Sequence, residues 1–200
     1  MNPNKHYIYT IKDKYFDDFQ DPYLTNNKGE SRPNYFVFED DNKEILWFIP
    51  LSSRIEKFEK IIKNREAQGR PCDIAHICNV GPRKQAFLIQ NMFPATKEYI
   101  QEEYIVNRKP YRMVNEKDIQ AIENKASRIK KLIDRGIKFM PTQPNVKEIE
   151  NQLLEKLNND KLNVQKLTKE DSIENIDNKD TGRKEIKRRE FLRRQMNRER

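Results

Sequence analysis

The chain is poor in the residues that build metal centres. Only two of its 200 residues are cysteine and two are histidine. Cys72 and Cys78 are separated by five residues with His76 between them, which matches no common zinc spacing and makes no disulfide framework. His76 has apolar neighbours and is expected to be a core residue rather than an acid–base catalyst. We therefore expect no bound metal.

Glycine-rich loops and long hydrophobic runs are also lacking. Only five glycines are present, and neither the Walker nor the Rossmann pattern occurs, so nucleotide-cofactor chemistry is disfavoured and no cofactor is expected. No apolar segment approaches the roughly 18 residues that cross a bilayer. Residues 1–12 are polar and lack the apolar stretch of a signal peptide. These features predict a cytoplasmic protein with no membrane partner.

Charged residues, in contrast, are abundant and unevenly spread. They make up 36% of the chain against 35% hydrophobic residues, so part of the chain is not expected to fold by itself. Forty Lys and Arg residues outweigh 32 Asp and Glu residues, which gives a net charge of +8. Nine of the basic and three of the acidic residues lie within 183–200. An excess of this size favours a polyanionic partner, and RNA, DNA and anionic lipid all qualify.

The spacing of apolar residues predicts an α+β fold. Strands are expected over residues 6–12, 35–39, 45–50, 73–80 and 85–93, which gives an antiparallel sheet of about five strands. Helices are expected over residues 14–20, 54–68, 115–135 and 145–157. Ser53 and Asn115 are the predicted N-caps, and Gly69 and Gly136 the predicted stops.

Composition divides the chain into three regions. Residues 1–140 are expected to form the main domain, and residues 141–160 an additional helix that either docks or stands free. Residues 161–200 are expected to be a disordered linker followed by a basic helix or tail.

The most specific local pattern is Pro50-Leu51-Ser52-Ser53 between a predicted strand and a predicted helix. Backbone N–H groups point outward at the start of a helix, so two hydroxyls there can hold a phosphate. The alternative is purely structural: Ser53 caps the helix and Ser52 makes a local turn bond. The sequence leaves both interpretations open.

Aromatic and basic residues are interleaved around the first two strands. Lys12, Lys14 and Tyr15 follow the first strand, and Arg32 and Tyr35 flank the start of the second. This mixture suits unpaired bases and backbone phosphates. A sheet with tyrosine in its core and lysine at its rim explains it equally well.

Five strings, in order along residues 7–135, carry a family resemblance. They are YTIKDKYFDDF, RPNYFVFE, IPLSSRIEKF, FLIQNMFPA and KPYRMV. Together they resemble the ToxN/AbiQ family of endoribonuclease toxins from type III toxin–antitoxin systems, including its CptN-like branch. The resemblance implies that residues 1–140 are the toxin domain, with a compact, twisted antiparallel sheet or barrel related to Kid and MazF and with surrounding helices.

The resemblance also implies a set of acting residues. The family's tyrosine falls on Tyr15, its hydroxyl pair on Ser52 and Ser53, and its basic residue before the second strand on Arg32, where the spacing differs by one. These four are the expected catalytic residues. The residues expected to bind RNA are Lys12, Lys14, Tyr35, Arg54, Lys57 and Arg112.

Family members cleave RNA without a metal. The ribose 2′-hydroxyl attacks its own phosphate and leaves a 2′,3′-cyclic phosphate and a 5′-hydroxyl, a step that needs alignment and charge stabilisation. The implied partners are a small repeat-derived pseudoknot RNA antitoxin, which the toxin also processes, and cellular or phage mRNA as substrates. The implied assembly is a cyclic protein–RNA hetero-oligomer that acts in phage defence or plasmid maintenance.

Two other functions fit the charge. A non-catalytic RNA- or DNA-binding regulator needs the basic and aromatic residues but no reactive role for the serines. An accessory protein of a plasmid or mobile element would use the basic tail to contact DNA. In the toxin interpretation the same tail adds nonspecific phosphate contacts or is simply solvated.

Overall fold

The computed structural model describes residues 2–24, 27–41 and 43–164. The chain divides into two compact units, residues 1–154 and residues 155–200. In the second unit, residues 155–164 are helical. The predicted linker and basic tail lie outside the described residues from position 165 onward. Within the described part, no helix combines the length and the apolar character needed to span a bilayer.

The first unit is α+β, as the sequence predicts. Its helices are α1 (Asp13–Asp18), α2 (Ile55–Ala67), α3 (Glu116–Asp134) and α4 (146–154), and two 3-10 turns cover Ile89–Asn91 and Lys97–Tyr99. Its strands are β1 (Ile8–Ile11), β2 (Asn34–Glu39), β3 (Leu46–Ser52), β4 (His76–Val80), β5 (Arg83–Phe87), β6 (Phe93–Ala95), β7 (Ile100–Glu103), β8 (Ile105–Val106) and β9 (Lys109–Pro110).

Antiparallel pairing joins seven strands into one sheet in the order β4-β5-β3-β2-β1-β7. β6 pairs with the first half of β3, whereas β5 pairs with its last two residues. The path stays open, because β4 and β7 end the sheet without pairing each other in the part of the chain that the structure describes. The sheet is therefore not the closed barrel that was one form of the expected fold, and the relation to Kid and MazF stays a prediction.

The expected strand over residues 85–93 is the main error in the prediction of the sheet. The chain leaves the ladder after Phe87, turns at Ile89–Asn91 and re-enters as β6. The error arose because a continuous apolar run does not reveal where pairing stops. β7 was also missed, since its sequence IQEE shows little apolar alternation.

The two long amphipathic helices α2 and α3 pack on opposite faces of the sheet. Ile77 and Ala86 are cross-strand partners on the face that packs against α2, where Phe58 is buried. Successive strand residues point to opposite faces, so His76 and Phe87 point to the other side. On that side, the side chain of His76 contacts Asp118 of α3.

The predicted start of α3 is confirmed. Asn115 Oδ1 accepts the N–H groups of Lys117 at 3.1 Å and Asp118 at 3.4 Å, which satisfies two otherwise unpaired donors. The predicted apolar face is confirmed as well, since the buried residues of α3 are Ile119, Ile122, Ala126, Ile129 and Ile133.

Helix α4 packs against the rest of the first unit rather than standing free. Val146, Ile149 and Leu153 are buried. Glu150 is only 2% exposed and pairs with Lys130 of α3 at 3.2 Å. Burying a carboxylate is costly unless it is paired, so this ion pair fixes where α4 can lie.

Candidate active site

The Pro50-Leu51-Ser52-Ser53 segment forms a sharp corner between β3 and α2. Ser52 is 9% exposed, and its Oγ accepts the N–H of Arg54 at 3.2 Å, so the predicted local turn bond is confirmed. The predicted cap is wrong, because Arg54 occupies the N-cap position of α2 and no side chain caps it. Ser53 is exposed instead. The N–H of Ile55, the first residue of α2, donates to the carbonyl of Ser53 at 2.9 Å, so the donors that can face an anion are the Ser53 hydroxyl and the next N–H groups of the first turn, those of Glu56 and Lys57.

The register of the sheet brings Arg32 to this corner. Asn34 pairs with Pro50, and the N–H of Leu51 donates to the carbonyl of Pro33 at 2.9 Å. One more step along this antiparallel pair places Arg32 beside Ser52. The backbone there is held in place, since the carbonyl of Arg32 accepts the side-chain amide of Asn34 at 2.8 Å.

Arg32 is buried and lies within the field of a second cation. Its residual exposure is 8%. Burial, and to a smaller extent the positive charge of Arg54, lower the pKa of Arg32 to about 10. The guanidinium is still charged at neutral pH. Arg32 and Arg54 together make the potential at this corner positive, and a bound phosphate would relieve their mutual repulsion.

Tyr15 lies in the core rather than at this corner. It is fully buried, and its hydroxyl donates to the carbonyl of Pro94 at 2.7 Å. Its ring centroid lies 5.2 Å from that of Phe93 and 5.3 Å from that of Tyr99. Burial, followed by the nearby Tyr99, raises the pKa of Tyr15 well above its usual value. The side chain as placed serves packing, so its catalytic role stays a prediction.

Tyr35 is likewise a core residue. It is fully buried and stacks on His6, with ring centroids 6.3 Å apart. Its hydroxyl has no hydrogen-bond partner among the described residues. Burial raises the pKa of Tyr35, and the negative charge of Glu123 adds to this. This placement favours the interpretation in which tyrosines fill the sheet core, and RNA binding by Tyr35 stays a prediction.

Two of the predicted RNA-binding lysines follow β1. Lys12 donates to the carbonyl of Glu98 at 2.7 Å. Lys14 pairs with Asp18 at 2.7 Å, one turn along α1. Lys12 lies at the same end of the sheet as Arg32, since that end holds the last residue of β1 and the first of β2. Both ammonium groups already have partners and would contribute to RNA binding mainly through their long-range field.

The other predicted cations are exposed. Arg54 and Lys57 belong to the start of α2, and the Lys57 ammonium lies 5.7 Å from the ring centre of Phe58. Arg112 pairs through its backbone with Tyr7, at the opposite end of β1 from the corner. The structure therefore groups Arg54 and Lys57 with Arg32, Ser52 and Ser53 but separates Arg112 from them.

One cluster that the sequence did not predict could hold a metal ion. The donor atoms of His76, Cys78 and Asp118 all lie within 4.8 Å of one another. Asp118 Oδ1 forms a 2.9 Å hydrogen bond with His76 Nε2. Burial, and then the charge of Asp118, raise the pKa of Cys78 to about 12, so the sulfur is a thiol at neutral pH. No local spacing signals this cluster, because Asp118 comes from α3, far along the chain.

The fold is similar to that of two solved chains from bacterial antiviral systems. AbiQ, a lactococcal anti-phage endoribonuclease of the type III toxin–antitoxin class, superposes with a TM-score of 0.58 at 15% identity. The similarity covers 76% of this chain and 97% of AbiQ.

A second solved chain comes from a bacterial antiviral system that a processed non-coding RNA regulates. It has a TM-score of 0.52 and 15% identity, over 74% of this chain and 96% of its own. At this identity the likeness shows the fold, and at that level it confirms the resemblance drawn from the sequence. No protein-family model matches the sequence. No curated protein matches it either.

Proposed function

We propose that this protein is a metal-independent, sequence-specific endoribonuclease toxin of a type III toxin–antitoxin system. Two observations support the proposal. The fold resembles that of AbiQ, which is an endoribonuclease. Three of the four residues that the family resemblance singles out, Arg32, Ser52 and Ser53, come from two separate segments and lie at one corner of the sheet, whereas Tyr15 lies in the core.

The juxtaposition of Arg32 with the serine corner is the observation that carries the proposal. A buried arginine is costly, and a second cation at Arg54 increases that cost. The register of β2 against β3 is set by backbone hydrogen bonds, such as the one from the N–H of Leu51 to the carbonyl of Pro33. A cation kept at such a cost is typical of a site that binds phosphate.

The corner can supply what metal-free RNA cleavage needs. The ribose 2′-oxygen forms a bond to its own phosphorus, and the bond from phosphorus to the 5′-oxygen breaks. The products are a 2′,3′-cyclic phosphate and a 5′-hydroxyl, which takes up the proton that the 2′-hydroxyl loses. Arg32 would stabilise the extra negative charge on the phosphorane. Ser53 and the N–H groups of α2 would hold the non-bridging oxygens in line.

The proposed partners are RNA molecules. The antitoxin is a small repeat-derived pseudoknot RNA that occupies the basic surface and is itself processed, in a cyclic protein–RNA assembly. The substrates are cellular or phage mRNA, and the role is phage defence or plasmid maintenance. The association of a second neighbour with a processed non-coding RNA supports this part of the proposal.

Purified protein incubated with total cellular RNA in EDTA tests the proposal. We expect cuts at a recurring sequence, with cyclic phosphate ends, and their loss by at least about a hundredfold in Ser53→Ala. Ser127→Ala is the matched control, because Ser127 is an exposed serine of α3 away from the corner.

Other outcomes would contradict the proposal. Fragments with 3′-hydroxyl ends would exclude attack by the 2′-hydroxyl. RNA that is retained by the protein but left uncut would favour a non-catalytic RNA- or DNA-binding regulator, which the net charge of +8 also fits.

A further inference from the structure

A pocket lies at the same end of β3 as the serine corner. It is a pocket of about 250 Å³ between the sheet and the β8–β9 hairpin. Strand alternation puts its floor residues on the face of the sheet opposite to the side chain of Ser52. The residues that matter for its chemistry are Pro33, Leu51, Gln85, Tyr104, Ile105 and Asn107.

The walls of the pocket are set by backbone geometry. Asn107 and Arg108 form the two-residue turn of the hairpin, with φ of 52° and 65°. Positive φ at both positions is the conformation that closes a tight hairpin. A Cβ added at Gly81 would lie 2.6 Å from Cγ1 of Val106, so the β4–β5 turn approaches the hairpin too closely for a side chain. The pocket is therefore formed before any ligand binds.

The lining of the pocket combines apolar surface with side-chain amides that make no hydrogen bond to other described residues. Ile105 is 53% exposed and Tyr104 is half-buried, which leaves apolar surface facing the pocket. The side-chain amides of Gln85 and Asn107 make no hydrogen bond within the described ranges 2–24, 27–41 and 43–164. Aromatic surface for stacking and amides for edge recognition are the groups that bind unpaired nucleobases.

The location links the pocket to the reaction. Pro33 and Leu51 line it, and they are the immediate chain neighbours of Arg32 and Ser52. The N–H of Leu51 and the carbonyl of Pro33 hold the two segments together at 2.9 Å. The pocket and the groups proposed to hold the phosphate thus lie at the same end of β3 but on opposite faces of the sheet, so an RNA strand that passes around this end can contact both.

A larger pocket in the described part of the chain is less suited to RNA than the pocket beside the hairpin. It has a volume of about 870 Å³, and its lining includes the carboxylates of Asp13, Asp17 and Asp21. Acidic side chains repel a polyanion. By contrast, Arg83 lies in the lining of the smaller pocket, where its charge attracts one.

We propose that this pocket binds one unstacked nucleobase of the RNA, next to the phosphate held at the serine corner, and that the amides of Gln85 and Asn107 read its edge. The inference rests on the proposed function, because it takes RNA as the ligand. It makes the pocket the source of sequence preference, whereas Arg32 and the serines act on the backbone, which is the same for every nucleotide.

Cleavage of a random-sequence RNA, read by sequencing the cut sites, tests the assignment. We expect Gln85→Leu, which keeps the side-chain size, to weaken one base preference beside the cut by about tenfold. Asn107→Gly should weaken the preference at the same position, because glycine tolerates the positive φ while the amide is lost. Gln101→Leu is the matched control, an exposed glutamine on β7, and should leave all preferences unchanged.

A binding measurement separates this inference from the proposed function. Four short 2′-O-methyl RNAs, which cannot be cut and differ in one base, are titrated against the native protein and Gln85→Leu. A native preference for one base that Gln85→Leu loses supports the pocket even if no RNA is ever cleaved. Equal affinity for all four, or a preference that both pocket variants retain in binding and cleavage, overturns it.

Discussion

Arg32, which is proposed to bind phosphate, is also a residue whose burial opposes stability. Its pKa is lowered to about 10 by burial and by Arg54, so the folded state disfavours the charged form. A cation with a lowered pKa costs folding free energy at every pH below that value, because the guanidinium stays protonated while it is buried.

Arg32→Gln should therefore separate activity from stability. We expect cleavage to fall by at least about a hundredfold, since the charge that stabilises the phosphorane is gone. The midpoint of thermal unfolding should not fall, because the buried charge is gone as well. Arg70→Gln removes an exposed cation and is the control. A variant that unfolds at lower temperature but cleaves normally once folded would place Arg32 in the architecture and not in the reaction.

For Tyr15 the family resemblance and the structure indicate different roles. The resemblance implies a catalytic residue, whereas the structure places the side chain in the core. Tyr15→Phe removes the hydroxyl that donates to Pro94 at 2.7 Å and leaves a buried carbonyl unpaired. We expect a loss of about 1–2 kcal/mol in the free energy of unfolding, measured in urea. Tyr23→Phe, at a tyrosine that is 45% exposed, should change little.

The cleavage rate of folded Tyr15→Phe decides between the two roles. A packing role predicts a rate within a few-fold of the native protein at a temperature where both are folded. A rate lower by about a hundredfold or more, with the unfolding free energy nearly unchanged, would show instead that the hydroxyl acts on RNA.

Among the larger elements, α3 is tied to the sheet by polar contacts as well as by its apolar face. Oε1 of Glu123 lies 2.8 Å from Nζ of Lys5, with which it forms an ion pair, and 3.0 Å from Nε2 of His6. Lys125 donates to the carbonyl of Ala75 at 3.0 Å. Each contact joins α3 to a different part of the sheet region. Such contacts fix the position of the helix, whereas apolar burial alone would tolerate sliding.

The Glu123 contacts predict a pH dependence. Burial by itself raises the pKa of Glu123, but the hydrogen bonds and charges of Lys5 and His6 outweigh it, and the net pKa lies below the usual 4.5. A lowered carboxyl pKa adds stability above the unfolded pKa, and this is lost as the pH falls through the folded pKa. Glu123→Gln should thus be less stable at pH 7 by about 1 kcal/mol.

Urea unfolding at two pH values tests the direction of this pH dependence of stability. The difference between native protein and Glu123→Gln should shrink toward zero as the pH falls below the folded pKa of Glu123, where both side chains are neutral. Glu102→Gln, at an exposed position of β7, serves as the control and should show little difference at either pH. A difference that persists unchanged in acid would attribute the effect to packing rather than to charge.

The elements that could be predicted are those whose information is local. The buried face of α3 follows from its own apolar spacing, and Asn115 is a cap because of the residues that follow it. β6 could not be predicted, because its sequence FPA becomes a strand only through pairing with β3. The N-cap of α2 is Arg54 rather than the predicted Ser53, because the turn before the helix is closed by the hydrogen bond from the Arg54 N–H to Oγ of Ser52.

For the molecule as a whole, the candidate site could be predicted only in part. The serine corner is contiguous in sequence, and the family resemblance pointed to Arg32, so these residues could be proposed from the sequence, and their role stays a prediction. Their adjacency depends on the pairing of Asn34 with Pro50, which no local pattern specifies. The base pocket was not found, because its lining comes from four separate segments of the chain.

Charge is the remaining property that belongs to the whole chain. Residues 183–200 hold nine basic and three acidic side chains, so they account for most of the net charge of +8. If these cations contact RNA phosphates, binding must depend steeply on salt, by about 0.7 logarithmic units per phosphate neutralised on a single strand. The serine corner alone could neutralise only a few phosphates.

Deleting residues 183–200 tests whether the tail adds such contacts. We expect weaker binding of a single-stranded RNA and a shallower plot of log affinity against log salt, by up to about six units if all nine cations participate. A full-length variant with those nine residues changed to glutamine controls for chain length and should behave in the same way. The base preference beside the cut should survive both changes, because the contacts proposed for the tail are to the uniform backbone. An unchanged salt slope would instead confine the RNA phosphate contacts to residues 1–182.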